Sequence, residues 1–243
     1  MFLTIITPTN NSEDKILKCI NSVNEQTFKD YEHIIVDNKS TDETLNIIKH
    51  FNNEKIKIIS EKDNGIYFAM NKGIEISKGK YLLFLNSDDF ILEKNFFDKI
   101  NNIFKNDEFD LCYTNIIYQK NIFNISRKYK SGNQNNINKI GWHIPHPGTV
   151  IKKKYINSLG NYNTKYLISA DFDFFIKCQN NKKTTFYYLD EYSIKMSTGG
   201  ASSGIINIIK ANYECYNSLL SNGYKNPLIF VFVKLIKKFF QLF

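Results

Sequence analysis

No run in this chain reaches the roughly 20 consecutive apolar residues that a bilayer-spanning helix requires, so a transmembrane protein is not expected. Cysteine is scarce and scattered. Cys19, Cys112, Cys178 and Cys215 never form a CxxC pair, which argues against a zinc knuckle and against a disulfide framework. Reduced, mostly buried thiols are expected instead. The opening residues, Met1-Phe2-Leu3-Thr4-Ile5-Ile6-Thr7-Pro8, carry neither a charged leader nor a long apolar core, and they run straight into a strand-like segment. Cytoplasmic residence is therefore the expectation. No compact arginine-rich run is present, so nucleic acid is not an expected partner. No internal repeat appears, and no linker is long enough to separate two independent domains.

What remains is ordinary for a globular domain: 243 residues, 42% hydrophobic and 23% charged, enough to bury one substantial core. The formal charge of +8 favours an anionic partner such as a nucleotide diphosphate or a phospholipid surface.

The first half alternates strand-like and helix-like patterns, the mark of βαβ units on a parallel sheet. Strands are read at 3–7, 33–36, 56–60 and 81–85. Ser12-Glu13-Asp14 reads as a helix start, followed by Ile16, Leu17, Ile20 and Val23 at helical spacing. Ser40-Thr41-Asp42-Glu43 has the form of a capping box ahead of Leu45, Ile48 and Phe51. After Asn64-Gly65 a helix runs through Ile66, Ala69, Met70, Gly73 and Ile74. Beyond Phe96 the regularity fades: 110–114 and 116–125 read as two strands, and the Asn-rich 131–139 as a surface loop.

Parallel strands joined by right-handed crossovers all end at one edge of the sheet, and ligands of open α/β sheets bind there. The apolar run Tyr81-Leu82-Leu83-Phe84-Leu85 ends abruptly in Asn86-Ser87-Asp88-Asp89. Two adjacent carboxylates at that place suit a hard divalent cation, which keeps positions open for substrate phosphates. Asp37 closes the second strand at the same edge.

The order of these pieces resembles the bacterial family 2 glycosyltransferases. The matching segments are Ile5-Ile6-Thr7-Pro8-Thr9-Asn10, the run from Ile34 to Thr44 through Asp37, the run from Asp63 to Gly73, and Phe84-Leu85-Asn86-Ser87-Asp88-Asp89. His146-Pro147-Gly148-Thr149 and Ser169-Ala170-Asp171-Phe172-Asp173 extend the likeness to about residue 200. The resemblance implies the GT-A fold, a Rossmann-like, mostly parallel twisted sheet flanked by helices, here with a C-terminal helical extension. It implies one domain over 1–226, with a nucleotide-sugar half over 1–100, an acceptor half over 101–204 and a helical extension over 205–226. Its donor-site residues are Thr7, Pro8, Thr9, Asp37, Lys39, Asp63, Gly65, Met70, Asn71, Asn86, Ser87 and Asp88. A Mg or Mn ion is implied at Asp88 and, secondarily, Asp89. Asn86 stands where the family's DXD motif begins with Asp, so it offers a hydrogen-bonding oxygen without charge. Asp171 matches the family's proposed catalytic base, and Ala170 stands where that family often has Glu. Trp142, His143 and His146 are candidates for contacts to donor or acceptor.

The implied activity is inverting transfer from a nucleotide-diphosphate sugar, a UDP-sugar by family frequency, to a saccharide acceptor held on a lipid. The apolar, lysine-bearing tail over 227–243 is too short and too basic to span a membrane, yet suited to lie at the surface of the inner leaflet. Two other readings stay open. A nucleotidyltransferase would need a Gly-rich, basic phosphate loop, whereas Thr9-Asn10-Asn11-Ser12 has no Gly, Lys or Arg. A non-catalytic sugar-nucleotide or polysaccharide-binding protein would have no use for Asp171.

Overall fold

A computed structural model describes residues 1–51, 53–120, 125–132, 144–197 and 204–240. Its first half follows the expected alternation: β1 (Leu3–Thr9), α1 (Ile16–Asn24), β2 (Tyr31–Asp37), α2 (Thr44–His50), β3 (Ile56–Ser60), α3 (Ile66–Ile76) and β4 (Tyr81–Phe84). There follow β5 (Phe90–Ile91), α4 (Phe96–Asn106), β6 (Leu111–Lys120), β7 (Ile125–Tyr129), β8 (Thr149–Lys152), α5 (Lys153–Leu159), α6 (Ala170–Asn180), β9 (Phe186–Ser197), α7 (Ile205–Ser221) and α8 (Pro227–Phe240).

One sheet runs in the order β3-β2-β1-β4-β8-β6-β9-β5, with β7 paired to β6. The β3-β2-β1-β4 half is parallel throughout. Antiparallel β8 joins it to the second half, in which β6 and β9 are again parallel. Alternation along the central strands divides the core between the two faces of the sheet. Ile6, Leu82 and Phe84 pack with Tyr67, Met70 and Ile74 of α3 and Phe174 and Phe175 of α6. Leu3, Ile5, Tyr81 and Leu83 pack with Cys19 and Val23 of α1 and Phe96, Phe97 and Ile100 of α4. All four cysteines are free thiols and buried.

Three local expectations are corrected. Neither serine motif caps its helix: α1 starts at Ile16 and α2 at Thr44, with no side-chain capping bond at either. The two hydroxyls have other partners instead, Ser12 the distant Ser87 at 2.9 Å and Ser40 the Asp37 carboxylate three residues before it. The segment read as two strands is the single strand β6, which passes through Asn115 where its register against β9 shifts. The Asn115 side chain bridges that irregularity, donating to Asp190 at 2.9 Å and accepting from the Ser131 N–H and the Tyr188 hydroxyl at 2.8 Å each. Most of the loop read at 131–139, together with Trp142 and His143, lies outside the described residues.

Candidate active site

The ends of β1, β2, β3 and β4 meet at one edge, as right-handed parallel connections require. The carbonyl of Ile6 accepts the N–H of Leu85, and the next position facing that side is Pro8, past the last β1–β4 pair. A residue without an N–H there costs no ladder bond. The chain then turns through Asn11, at φ 46°. The Asn11 N–H donates to Ser40 at 2.8 Å and its side chain accepts from the Thr41 N–H at 2.9 Å. With the Ser12–Ser87 contact, these bonds tie the loop after β1 both to the Asp37 loop and to the Asp88 loop.

Asp37 is fully buried and accepts from the N–H and hydroxyl of Ser40 and from the Ser60 hydroxyl at 2.6 Å. Lys39 beside it is exposed, with φ at 50°. Asp63 donates its N–H to the Asn38 side chain at 2.8 Å and accepts from the Gly65 N–H at 2.8 Å. Its carboxyl is raised above the ordinary range by burial and then by the charge of Asp37, so the two acids stand near one another. Gly65 opens α3 at φ 138°, a conformation that L side chains rarely adopt. Thr9 is buried and its hydroxyl has no partner among the described residues. Thr7 turns into the core, bonded to His33 at 2.9 Å, which burial holds neutral with its pKa down at about 3. Met70 packs in the core beneath α3, and the Asn71 amide pairs with the Tyr162 backbone in both directions at 2.9 and 3.0 Å. These last three are therefore placed in the scaffold behind the edge rather than on its open side.

After β4 the two adjacent carboxylates part ways. Asp89 is buried and accepts from the Asn86 amide at 3.1 Å and the Ser197 N–H at 3.3 Å. Burial, and then the neighbouring Asp88 charge, push its carboxyl well above the ordinary range. Asp88 is only part-buried, and Lys15 partly offsets the rise that burial causes in its carboxyl. Asp89 therefore faces inward and braces the turn, whereas Asp88 is the more exposed of the two carboxylates. The Asn86 Oδ1 atom beside them is buried and has no partner among the described residues. A carboxylate plus an orphaned amide oxygen is hard-oxygen chemistry that fits Mg²⁺ or Mn²⁺. No group of three or more His, Cys, Asp or Glu side chains forms a cage among the described residues. Such a set suits an ion that completes its shell with water and substrate oxygens.

Asp171, in the first turn of α6, accepts from the Tyr67 hydroxyl of α3 at 2.7 Å, a contact spanning 104 positions. Asp173 points the other way, as helical geometry requires for residues two apart. It is buried against the Ser218 hydroxyl at 2.8 Å, the Asn222 amide at 3.1 Å and Lys177 at 2.8 Å. Ahead of α6 the N–H groups of Leu167, Ile168 and Ser169 all donate to Glu214 of α7, at 3.0, 2.9 and 2.9 Å. His146 is buried and its Nε2 meets the Tyr162 hydroxyl at 2.8 Å, so it belongs to the wall behind Asp171. Burial lowers the His146 pKa, and the nearby charge of Asp171 opposes that shift.

Tyr118 of β6 is part-buried. Burial raises its phenol pKa first, Arg127 opposes that, and the charges of Asp89 and Asp171 both add to the rise. The Arg127 guanidinium lies 4.4 Å from the Tyr118 ring centroid, with its Nε buried and unpartnered. Sequence reading missed Lys15, Tyr67, Tyr118, Arg127, Tyr162 and Glu214. One signal was available: Arg127 is the single arginine among 32 Lys and Arg residues.

The pattern of glycosyl transferase family 2 matches residues 4–166. A PGL/p-HBAD biosynthesis glycosyltransferase of Mycobacterium bovis is 30% identical over 210 residues, covering 84% of this chain and 80% of the relative. A poly(ribitol-phosphate) beta-glucosyltransferase of Bacillus spizizenii is 41% identical over 97 residues, which are 37% of this chain and 15% of that protein. The crystal structure of S. aureus TarS 1-349 in complex with UDP matches at a TM-score of 0.69 and 18% identity, over 97% of this chain. This chain spans 66% to 71% of the TarS 1-349 chains. At that identity the likeness is one of fold, and the fold is the expected GT-A type.

Proposed function

The chain belongs to glycosyl transferase family 2, and on that premise we propose that it moves a sugar from a UDP-sugar to a hydroxyl of a lipid-linked saccharide, in bacterial surface polysaccharide synthesis. The observation that carries this reading is electrostatic. Asp37 closes β2 and Asp88 follows β4 at one edge of the parallel sheet, and Asp171 is tied to α3 of the same half by the Tyr67 hydroxyl at 2.7 Å, so the charges of these acids are held by the fold rather than by a single loop. The UDP preference draws on the UDP complex of TarS, and the polymer acceptor on the poly(ribitol-phosphate) relative.

In this reading Asp88 and the Asn86 oxygen would hold Mg²⁺ or Mn²⁺, which would supply positive charge against the departing diphosphate and help to orient the donor. Lys15 and Arg127 add fixed positive charge. Asp37, at the end of β2, and Asp63, in the loop after β3, receive the nucleoside. The acceptor hydroxyl attacks the anomeric carbon, its proton passes to Asp171, and the bond from that carbon to the diphosphate oxygen breaks. A single displacement inverts the centre, so an α-linked donor gives a β-linked product. Tyr67 acts through Asp171 as a positioning residue, fixing one carboxylate oxygen and leaving the other for the acceptor. The basic apolar tail then keeps the protein at the inner face of the plasma membrane, where a lipid-linked acceptor is presented.

The test is a thermal-shift screen against UDP-, GDP- and dTDP-sugars with Mn²⁺, followed by mass and NMR analysis of products from a lipid-linked acceptor pool. Asp171→Asn should lower transfer by about 10²–10⁴-fold with donor binding intact, the usual yield of general base catalysis. Asp88→Ala should abolish the cation-dependent part of donor binding by calorimetry. Unchanged transfer in Asp171→Asn, or a product that retains the anomeric configuration, sinks the assignment.

A further inference from the structure

Helix α8 shows one face to the protein and a second apolar face to solvent. Phe230 is buried against Phe172, Ile176, Cys215 and Leu219, and Lys234 turns inward to Cys215 at 3.0 Å and over the Phe172 ring. On the other side Leu228, Ile229, Phe232, Leu235 and Ile236 are all exposed, Leu228 at 70% and Phe232 at 63%. Helix α7 repeats the arrangement. Ile205, Ile206, Ile209 and Tyr213 fall within an arc of about 100° on a helical projection. All four are exposed, Ile205 at 78% and Ile206 at 81%. The opposite side of α7 holds buried Glu214, Cys215 and Ser218.

Charge selects the occupant of these faces. Over residues 205–240 the lysines are Lys210, Lys225, Lys234, Lys237 and Lys238, and Glu214 is the one acidic residue. Its carboxylate is turned inward onto the N–H groups of the loop ahead of Asp171. Lys210 and Lys225 are exposed. Apolar faces edged by lysine and free of outward carboxylates complement an anionic lipid surface, in which Leu, Ile and Phe enter the acyl boundary while ammonium groups meet headgroups.

We propose that α7 and α8 together form the surface by which this protein seats on an anionic bilayer, with α7 an equal part of it. This rests on the lipid-linked acceptor reading and extends it from the tail to the body of the domain. Through Glu214, α7 holds the 167–169 loop directly ahead of α6, so seating the helix also places Asp171 relative to the bilayer.

The full chain is to be sedimented with large unilamellar vesicles of phosphatidylglycerol and phosphatidylethanolamine, and with vesicles of phosphatidylcholine alone. The protein should pellet with the anionic vesicles about tenfold more strongly than with the neutral ones. Ile206→Asn with Ile209→Asn should weaken that binding about tenfold, as should Leu228→Asn with Phe232→Asn, and Lys210→Glu with Lys225→Glu should erase the preference for anionic lipid. These side chains are exposed, so circular dichroism and UDP-sugar binding should stay as in the wild type. The proposal is overturned if the wild type fails to pellet, if the α7 pair pellets as the wild type does, or if the same substitutions instead dissolve a dimer seen by sedimentation velocity. Wild-type vesicle binding without UDP-sugar binding supports this surface and rejects the transferase reading. Transfer to a soluble saccharide without vesicle binding does the reverse.

Discussion

Asp89 is a carboxylate enclosed by its own protein, and its proton affinity follows from that enclosure. Burial and then the Asp88 charge raise its pKa in the folded state above its unfolded value. A group of that kind contributes stability that is complete below the ordinary carboxylate range and is lost as pH rises through the folded-state value. Asp89→Asn stays neutral throughout, and its new amide can donate to the Asn86 oxygen that now lacks a partner. In cation-free buffer the melting temperature of the wild type should therefore fall, relative to Asp89→Asn, as pH rises from about 5 to 8. Comparing the two proteins cancels His33 and His146, whose lowered pKa values give the opposite slope. Parallel melting curves would show that Asp89 does not carry this linkage. The motif alone marked Asp88 and Asp89 as a pair; which of them faces outward depends on Ser197, 108 positions away.

Helix α3 shows why the existence of an element was easier to read than its packing. Its buried residues, Tyr67, Met70, Gly73 and Ile74, recur at helical spacing, and that periodicity is local information. Gly73 looks like a weakness, since glycine costs a helix interior about 1 kcal/mol relative to alanine. The reason for it is tertiary: a Cβ at Gly73 would lie 2.5 Å from the Ile6 Cγ2 atom of β1. Gly73→Ala should destabilise the fold by up to about 2 kcal/mol after the helix-propensity gain, because overpacking costs about 1–3 kcal/mol. In an Ile6→Ala background the same substitution should become stabilising. Urea denaturation of the four proteins in the cycle measures this, and a coupling near zero would mean that α3 is free to slide off β1. The two serine motifs ahead of α1 and α2 show that spacing alone does not decide a cap either. Ser12 and Ser40 have the right spacing for caps, but Ser87 and Asp37 hold their hydroxyls.

At the scale of the whole molecule, α8 is joined to α6 and α7 through a small cluster. Phe230 of α8 meets Phe172 and Tyr224 at ring-centroid distances of 6.0 and 5.7 Å and is 5% exposed. Phe230→Ala should cost about 3 kcal/mol, at the low end for a buried phenylalanine because the cluster is peripheral. The loss should appear as a shift of one cooperative transition followed by circular dichroism. A second, earlier transition would mean instead that α8 unfolds by itself.

Strand and helix periodicity, the order of the family's motifs, the sheet edge at which they gather and the basic balance of the chain were all present in the sequence. Each depends on neighbours a few residues apart or on a simple count. The Tyr67–Asp171 bond, the inward turn of Asp89, the grip of Glu214 on the loop before α6 and the packing of Phe230 on Phe172 came only with folding. Those contacts join segments 45 to 108 positions apart, and no local pattern records which of many polar side chains will meet once the sheet brings their elements together.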